Sequence, residues 1–164
     1  MEYGGFGVRL VAYIIDGIIV TVLFFLFYFI LNAIGFIDYS AIMELANDPA
    51  TQAGGEPDPV LAMAAAQEMM RQMGVLYLGG LLIAWLYEAL MVSSSMQATP
   101  GKMVFGLRVT TVDGGPVGFG RATGRFFGKI ISQIILYVGF IMVAFSSRKQ
   151  GLHDMIANTL VVRA

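Results

Sequence analysis

Four ionisable residues could do chemistry because of where they stand: Arg9, Asp16, Glu88 and Asp154. Asp16 interrupts the 25-residue apolar run from Leu10 to Ile34, and Glu88 the 19-residue run from Gly74 to Val92. A carboxylate in lipid costs at least ~2.5–3.5 kcal/mol on insertion scales. It must therefore face protein or water, pair with a base, or take up a proton. Arg9 precedes Asp16 by seven residues. That is nearly two helical turns, which puts both on roughly one face about 10 Å apart along the axis. Two chemistries follow. Asp16 could bind a proton or small cation while Arg9 steadies the carboxylate, or it could form a structural ion pair with a base from another segment. Asp16 and Glu88, at similar depth on neighbouring helices, could share a proton or a cation, since adjacent carboxylates resist joint ionisation. Glu88 could equally pair with Lys102 or an arginine.

The supporting bases are Lys102, Arg121 and Arg125. Arg121, Arg125 and Lys129 recur every fourth residue and form one helical stripe, with Gly120, Gly124 and Gly128 beside them. Small residues at that spacing let helices approach closely. The bases could then meet Asp16, Glu88 or Asp154, or anionic lipid headgroups at about 1 kcal/mol each.

Other chemistries lack a signature. The chain has no Cys and one His, so His153-Asp154 cannot complete a zinc set, and no metal or cofactor is expected. Gly118-x-Gly120 with Gly124 misses the dinucleotide spacing, and Thr99-Pro100-Gly101-Lys102 lacks the glycine framework of a phosphate loop. Scattered serines with one histidine make no nucleophilic triad. An enzyme is not expected. A net charge of −1 gives no steering field for nucleic acid.

The elements that must position these residues are membrane helices. Of 164 residues, 57% are apolar and 13% charged, against about 25% charged in soluble domains. Spans are expected at about 10–34 and 74–92, and backbone hydrogen bonding in lipid makes them helices. The loop 35–73 carries six acids and one base, and the segment 96–129 five bases and one acid. Excess Lys and Arg marks the cytoplasmic side, so the acidic loop is placed outside, and the N-terminus and the tail 146–164 inside. The third apolar run, 130–145, reaches only about 24 Å at ~1.5 Å per residue. Bases flank it on both sides, which favours a re-entrant hairpin broken near Gly139, or an interfacial helix, over a full span beginning near Phe119.

Within the acidic loop, the part up to Pro59 reads as irregular. Asp58 then caps a helix that starts at Pro59 and runs into the second span. Val104 to Val112 and Asn158 to Val162 are strand candidates, with Asp113-Gly114-Gly115 as a turn. The expected fold is an all-α membrane protein with two full transmembrane helices, a third helical hairpin or span over 120–146, and a small cytoplasmic β-ribbon.

Three blocks resemble the RDD family of small, mostly prokaryotic membrane proteins: Arg9 to Asp16; Gln97 to Lys102 with Gly106 to Val109 and Asp113 to Gly115; and Gln150 to Asp154 through Asn158 to Val162. The family's name residues map onto Arg9, Asp16 and Asp154. The chain departs from the pattern in its acidic loop and at Val92, where many members carry an acid; here Glu88 lies one turn earlier. The resemblance implies a multi-pass protein of the prokaryotic cytoplasmic membrane, suspected of transport and specifically of Na⁺, K⁺ or Li⁺ exchange for H⁺. Two or three helices cannot enclose a pathway, so that role requires a homo-oligomer, with Gly79-Gly80 and the glycine stripe as contact surfaces. The alternatives are a non-transporting scaffold or accessory protein, in which the same charges lock the C-terminal segment under the first helix, and an anionic-lipid-binding protein.

Overall fold

A computed structural model describes residues 2–135 and 138–163. The first long helix, α1, spans Phe6–Ala33. Two short helices follow, α2 (Ser40–Asn47) and α3 (Pro49–Gln52), and then the 35-residue α4 (Pro59–Ser93). Next come α5 (Pro100–Val104), β1 (Leu107–Thr111), α6 (Phe119–Ile134), α7 (Val138–Phe145), α8 (Leu152–Ile156) and β2 (Thr159–Arg163). Helices α1 and α4 are long and apolar enough to cross a membrane. On α1, Ile14, Ile18, Val22, Phe25 and Phe29 are exposed along one side, the surface a helix presents to lipid.

The start of α4 follows local chemistry. The Asp58 carboxylate accepts a 2.7 Å hydrogen bond from the Val60 backbone amide, and Pro59 supplies a helical φ where no N–H is needed. The expected continuity of 60–73 with the second span holds. The part of the acidic loop read as irregular instead contains α2 and α3. Asp48 provides the reason for α3: its side chain accepts from the Thr51 amide at 3.1 Å, with Pro49 in the first turn.

The chain divides into two compact units. One comprises Met1–Thr21 with Ile83–Ala164, the other Val22–Leu82. In the first, β1 and β2 pair antiparallel, Leu107 opposite Arg163 and Thr111 opposite Thr159. Two strands alone are marginal in water. Here Leu107, Val109 and Val161 pack against Ala89, Val92, Val117 and Ala122 in one buried cluster. The N-terminus extends the ribbon, with Tyr3 bridged to Val162 and the Gly4 amide donating to the Val161 carbonyl at 3.0 Å.

In the second unit, Gly79 and Gly80 receive the rings of Phe27 and Phe24. The expectation that these glycines serve contacts between copies is corrected: a neighbouring stretch of the same chain already fills them. The glycine stripe of α6 is corrected in part. A Cβ on Gly128 would sit 3.1 Å from the His153 Cα, whereas Gly120 and Gly124 have open space around them among the described residues.

The third apolar run does not form one helix. Helix α6 begins at Phe119, ends at Ile134, and meets α7 at 97°. The chain between them, at 136–137, lies outside the described residues, next to the expected break at Gly139. Gly139 itself lies inside α7 and admits the Ser132 side chain.

Candidate functional site

All the candidate charges but one converge within the first unit. Helix α1 supplies Arg9 and Asp16, α4 supplies Glu88, α5 supplies Lys102, α6 supplies Arg125, and α8 supplies Asp154. Arg121 is the exception and is exposed on α6. Lys129, one turn beyond Arg125, takes its place.

Asp154 is the hub. It is completely buried, and its two oxygens are divided between two arginines: Arg9 Nη1 donates to Oδ2 at 2.6 Å and Arg125 Nε to Oδ1 at 2.8 Å. Oδ2 also accepts from the Gly151 amide at 3.2 Å, closing the first turn of α8. Burial pushes the Asp154 carboxyl up, but Arg125 and Arg9 outweigh it and hold the group well below the ordinary carboxylate range. Arg125, 2% exposed, spends its other arm on Glu88, Nη1 to Oε1 at 3.0 Å. Lys129 reaches the same Glu88 oxygen at 2.6 Å. Arg9–Asp154–Arg125–Glu88–Lys129 is thus one chain of alternating charge.

Arg9 also donates to the Gly4 carbonyl at 2.9 Å and to the Val161 carbonyl at 3.4 Å. One guanidinium therefore ties the N-terminal arm, β2 and α8 together, a use of several fixed donors that a lysine could not reproduce. The expectation that Arg9 steadies Asp16 is corrected, because its carboxylate partner is Asp154.

Asp16 is held by the α4–α5 connection. Its Oδ1 accepts from the Tyr87 hydroxyl and the Gly101 amide, both at 2.8 Å, and its Oδ2 from the Thr99 hydroxyl at 2.5 Å. Lys102 Nζ lies 3.7 Å from Oδ2 and donates to Thr99 Oγ1 at 2.8 Å. The Gly101 amide is one of the orphan donors of the first turn of α5, and Asp16 satisfies it from another helix. Glycine is required there, since a Cβ would run into the Ala12 carbonyl and come within 2.8 Å of Asp16 Oδ1. The Thr-Pro-Gly-Lys segment, read from sequence as a failed phosphate loop, is a clamp on this carboxylate. The idea of a proton shared between Asp16 and Glu88 is corrected too: each has its own set of donors.

Lys102 and His153, both outside the spans, also carry shifted affinities. Burial, then repulsion from Lys129, pulls the Lys102 ammonium down to about 7. Burial pulls His153 down to about 3. Its imidazole is therefore neutral at physiological pH, and its 3.6 Å approach to Asp154 is not an ion pair. His153 packs on Phe140 at 5.1 Å between centroids.

Sequence reasoning missed Tyr87, Thr99 and Gly101 as partners of Asp16. Lys129 was visible as the continuation of the Arg121–Arg125 spacing. Nothing in the sequence marks Tyr87 beyond its place next to Glu88. Among the described residues no group of three His, Cys, Asp or Glu side chains could hold a metal ion.

Beside the network lies a cavity of about 220 Å³. Its wall is predominantly apolar, with Phe6, Leu10, Phe140 and Ile141 among its residues. Arg9, Lys102, Arg125 and Lys129 all line it, and Asp16, Glu88 and Asp154 do not.

A family model described as the RDD family matches residues 3–158. The chain is 38% identical over 162 residues to the uncharacterized protein YxaI of Bacillus subtilis (strain 168), which covers 96% of this chain and 95% of that one. It is 39% identical over 87 residues to the uncharacterized membrane protein YteJ of the same organism, 49% of each chain. No solved structure matches.

Proposed function

The chain belongs to the RDD family as a multi-pass membrane protein, and within that frame we propose that it is a non-enzymatic scaffold or accessory protein. Its buried charges lock the C-terminal segment under the first helix. The observation that carries this reading is the saturation of all three carboxylates by donors of the chain itself. A buried ion pair seldom adds net stability, but losing one partner is costly, so such a network makes the arrangement hard to exchange for another. In this reading the basic segment faces the cytoplasm, both termini lie inside, and the docked ribbon presents a rigid surface to a partner.

Exchange of Na⁺, K⁺ or Li⁺ for H⁺ through a homo-oligomer is the second reading. The cavity abutting the network favours it, and the cavity's lining counts against it. Among the described residues, a cation entering would meet four bases and no acid. Exchange therefore needs the network to open, freeing a carboxylate.

The test is flux in proteoliposomes loaded with a pH dye and pulsed with each cation, for wild type and Asp16→Asn. The scaffold reading expects a flat trace from well-folded wild type, and a mutant that loses folded protein or the docking of its C-terminal segment. A cation-dependent pH change that vanishes in a still-folded Asp16→Asn protein would overturn it.

A further inference from the structure

With Lys102 charged, the network holds one base more than it holds acids. Arg9, Lys102, Arg125 and Lys129 face Asp16, Glu88 and Asp154, four positive groups against three negative. All four bases line the cavity and none of the acids does. We propose that this cavity binds the upper part of one anionic phospholipid, with its phosphate against the bases and the start of an acyl chain along Leu10, Phe140 and Ile141.

Three observations select this occupant. The sign follows from the lining, since a cation would be repelled and a neutral molecule would leave the excess charge unanswered. The apolar wall favours an amphiphile over a free inorganic anion, which would leave that wall wet. The volume, about 220 Å³, is below the roughly 300–1,000 Å³ of pockets that enclose whole drug-sized ligands. It suits a headgroup and the first methylenes, with the remainder of the chain in the bilayer. Arg9 and Leu10 lie near the start of α1, where a spanning helix meets the headgroup layer. The weakened ammonium of Lys102 fits the same picture, because a phosphate alongside would favour its charged form.

This site goes beyond the scaffold reading and does not depend on it, as the lock holds whether or not the cavity is filled. The experiment is thermal unfolding of the full chain in a neutral detergent, titrated with short-chain phosphatidylglycerol, phosphatidylcholine of the same chain length, or inorganic phosphate. Native mass spectrometry counts the bound lipid. The expected result is a saturable rise in melting temperature with phosphatidylglycerol alone, at one lipid per chain. Ile141→Trp and Leu10→Trp fill the cavity from two different helices without removing a charge. Each is expected to raise the half-saturating lipid concentration by at least about tenfold. Equal stabilisation by phosphatidylcholine would overturn the proposal. So would a rise reproduced by phosphate alone, or wild-type lipid binding by the tryptophan variants. If neither variant folds, the comparison of the three additives decides by itself.

Discussion

The two units of this chain are held together by opposite means. Among the described residues of Met1–Thr21 with Ile83–Ala164, five buried or nearly buried ion pairs link residues distant in sequence, and an exposed sixth joins Arg163 to Glu2. In Val22–Leu82, phenylalanine rings seat on glycines and the ionic contact is a short-range one, Arg71 with Glu68. Arg71 also reaches the Phe36 carbonyl at 3.2 Å and lies over the Phe36 ring. The difference teaches where single substitutions will hurt. A buried charge that loses its partner has nowhere to go, whereas a ring on a glycine can turn and an exposed pair can be replaced by water.

The sharpest way to break this contrast is Arg125→Met, which takes the shared arginine from both Asp154 and Glu88 and leaves them Arg9 and Lys129 respectively. A loss of about 3–5 kcal/mol is expected for breaking buried pairs by removing one partner, seen as loss of the monodisperse peak in fluorescence-detected size-exclusion chromatography. Gly101→Ala should follow at about 1–3 kcal/mol, because the new Cβ meets backbone that cannot move aside. Apparent melting temperatures in detergent would show it, and a melting temperature equal to wild type would refute the clamp on Asp16.

Acid should expose the same asymmetry. His153 is held neutral in the folded chain, with its affinity lowered from 6.5 to about 3. Between those values the unfolded chain binds a proton that the folded chain refuses, so stability falls as pH drops. The depressed Asp154 acts in the same direction below its ordinary 3.8. His153→Gln should therefore flatten the decline in melting temperature between about pH 6.5 and pH 4.5. An unchanged slope would mean that the imidazole is not kept neutral.

Gly79→Ala tests the other unit. Displacing the Phe27 ring costs stability, but alanine gains about 1 kcal/mol of helix propensity over glycine, so a net change within about 1 kcal/mol is expected in denaturant titrations. Arg71→Gln should leave unfolding indistinguishable from wild type. A large loss from either would erase the distinction between the units.

Sequence reading found the elements better than their junctions. The spans declared themselves by run length, the ribbon by β-branched residues around Asp113-Gly114-Gly115, and the helix at Pro59 by its aspartate cap. Arg9, Asp16 and Asp154 were found as a set through resemblance; position alone explained only why Asp16 needed a partner. Which partner it takes depends on where α5 lands, and no local pattern encodes that. The bend in the third apolar run lies near Gly139 as expected, but the point where α6 stops carries no local signal. Ile134 and Ile135 are good helix residues, with neither glycine nor proline to announce a stop. Gly139 stands beside the bend and also admits the packing of Ser132.

The sequence separations inside the network also impose a schedule. Asp16 waits 83 residues for Thr99, and Arg9 waits 145 for Asp154. At about 5–20 residues per second of synthesis, the first helix sits in the membrane for roughly ten seconds with its charges unmatched. During that interval the nascent chain carries two exposed polar sites that membrane proteases and insertion factors can recognise. Only once the segment carrying Asp154 has emerged can Arg9 find its carboxylate partner and the first helix lose that exposed polar site.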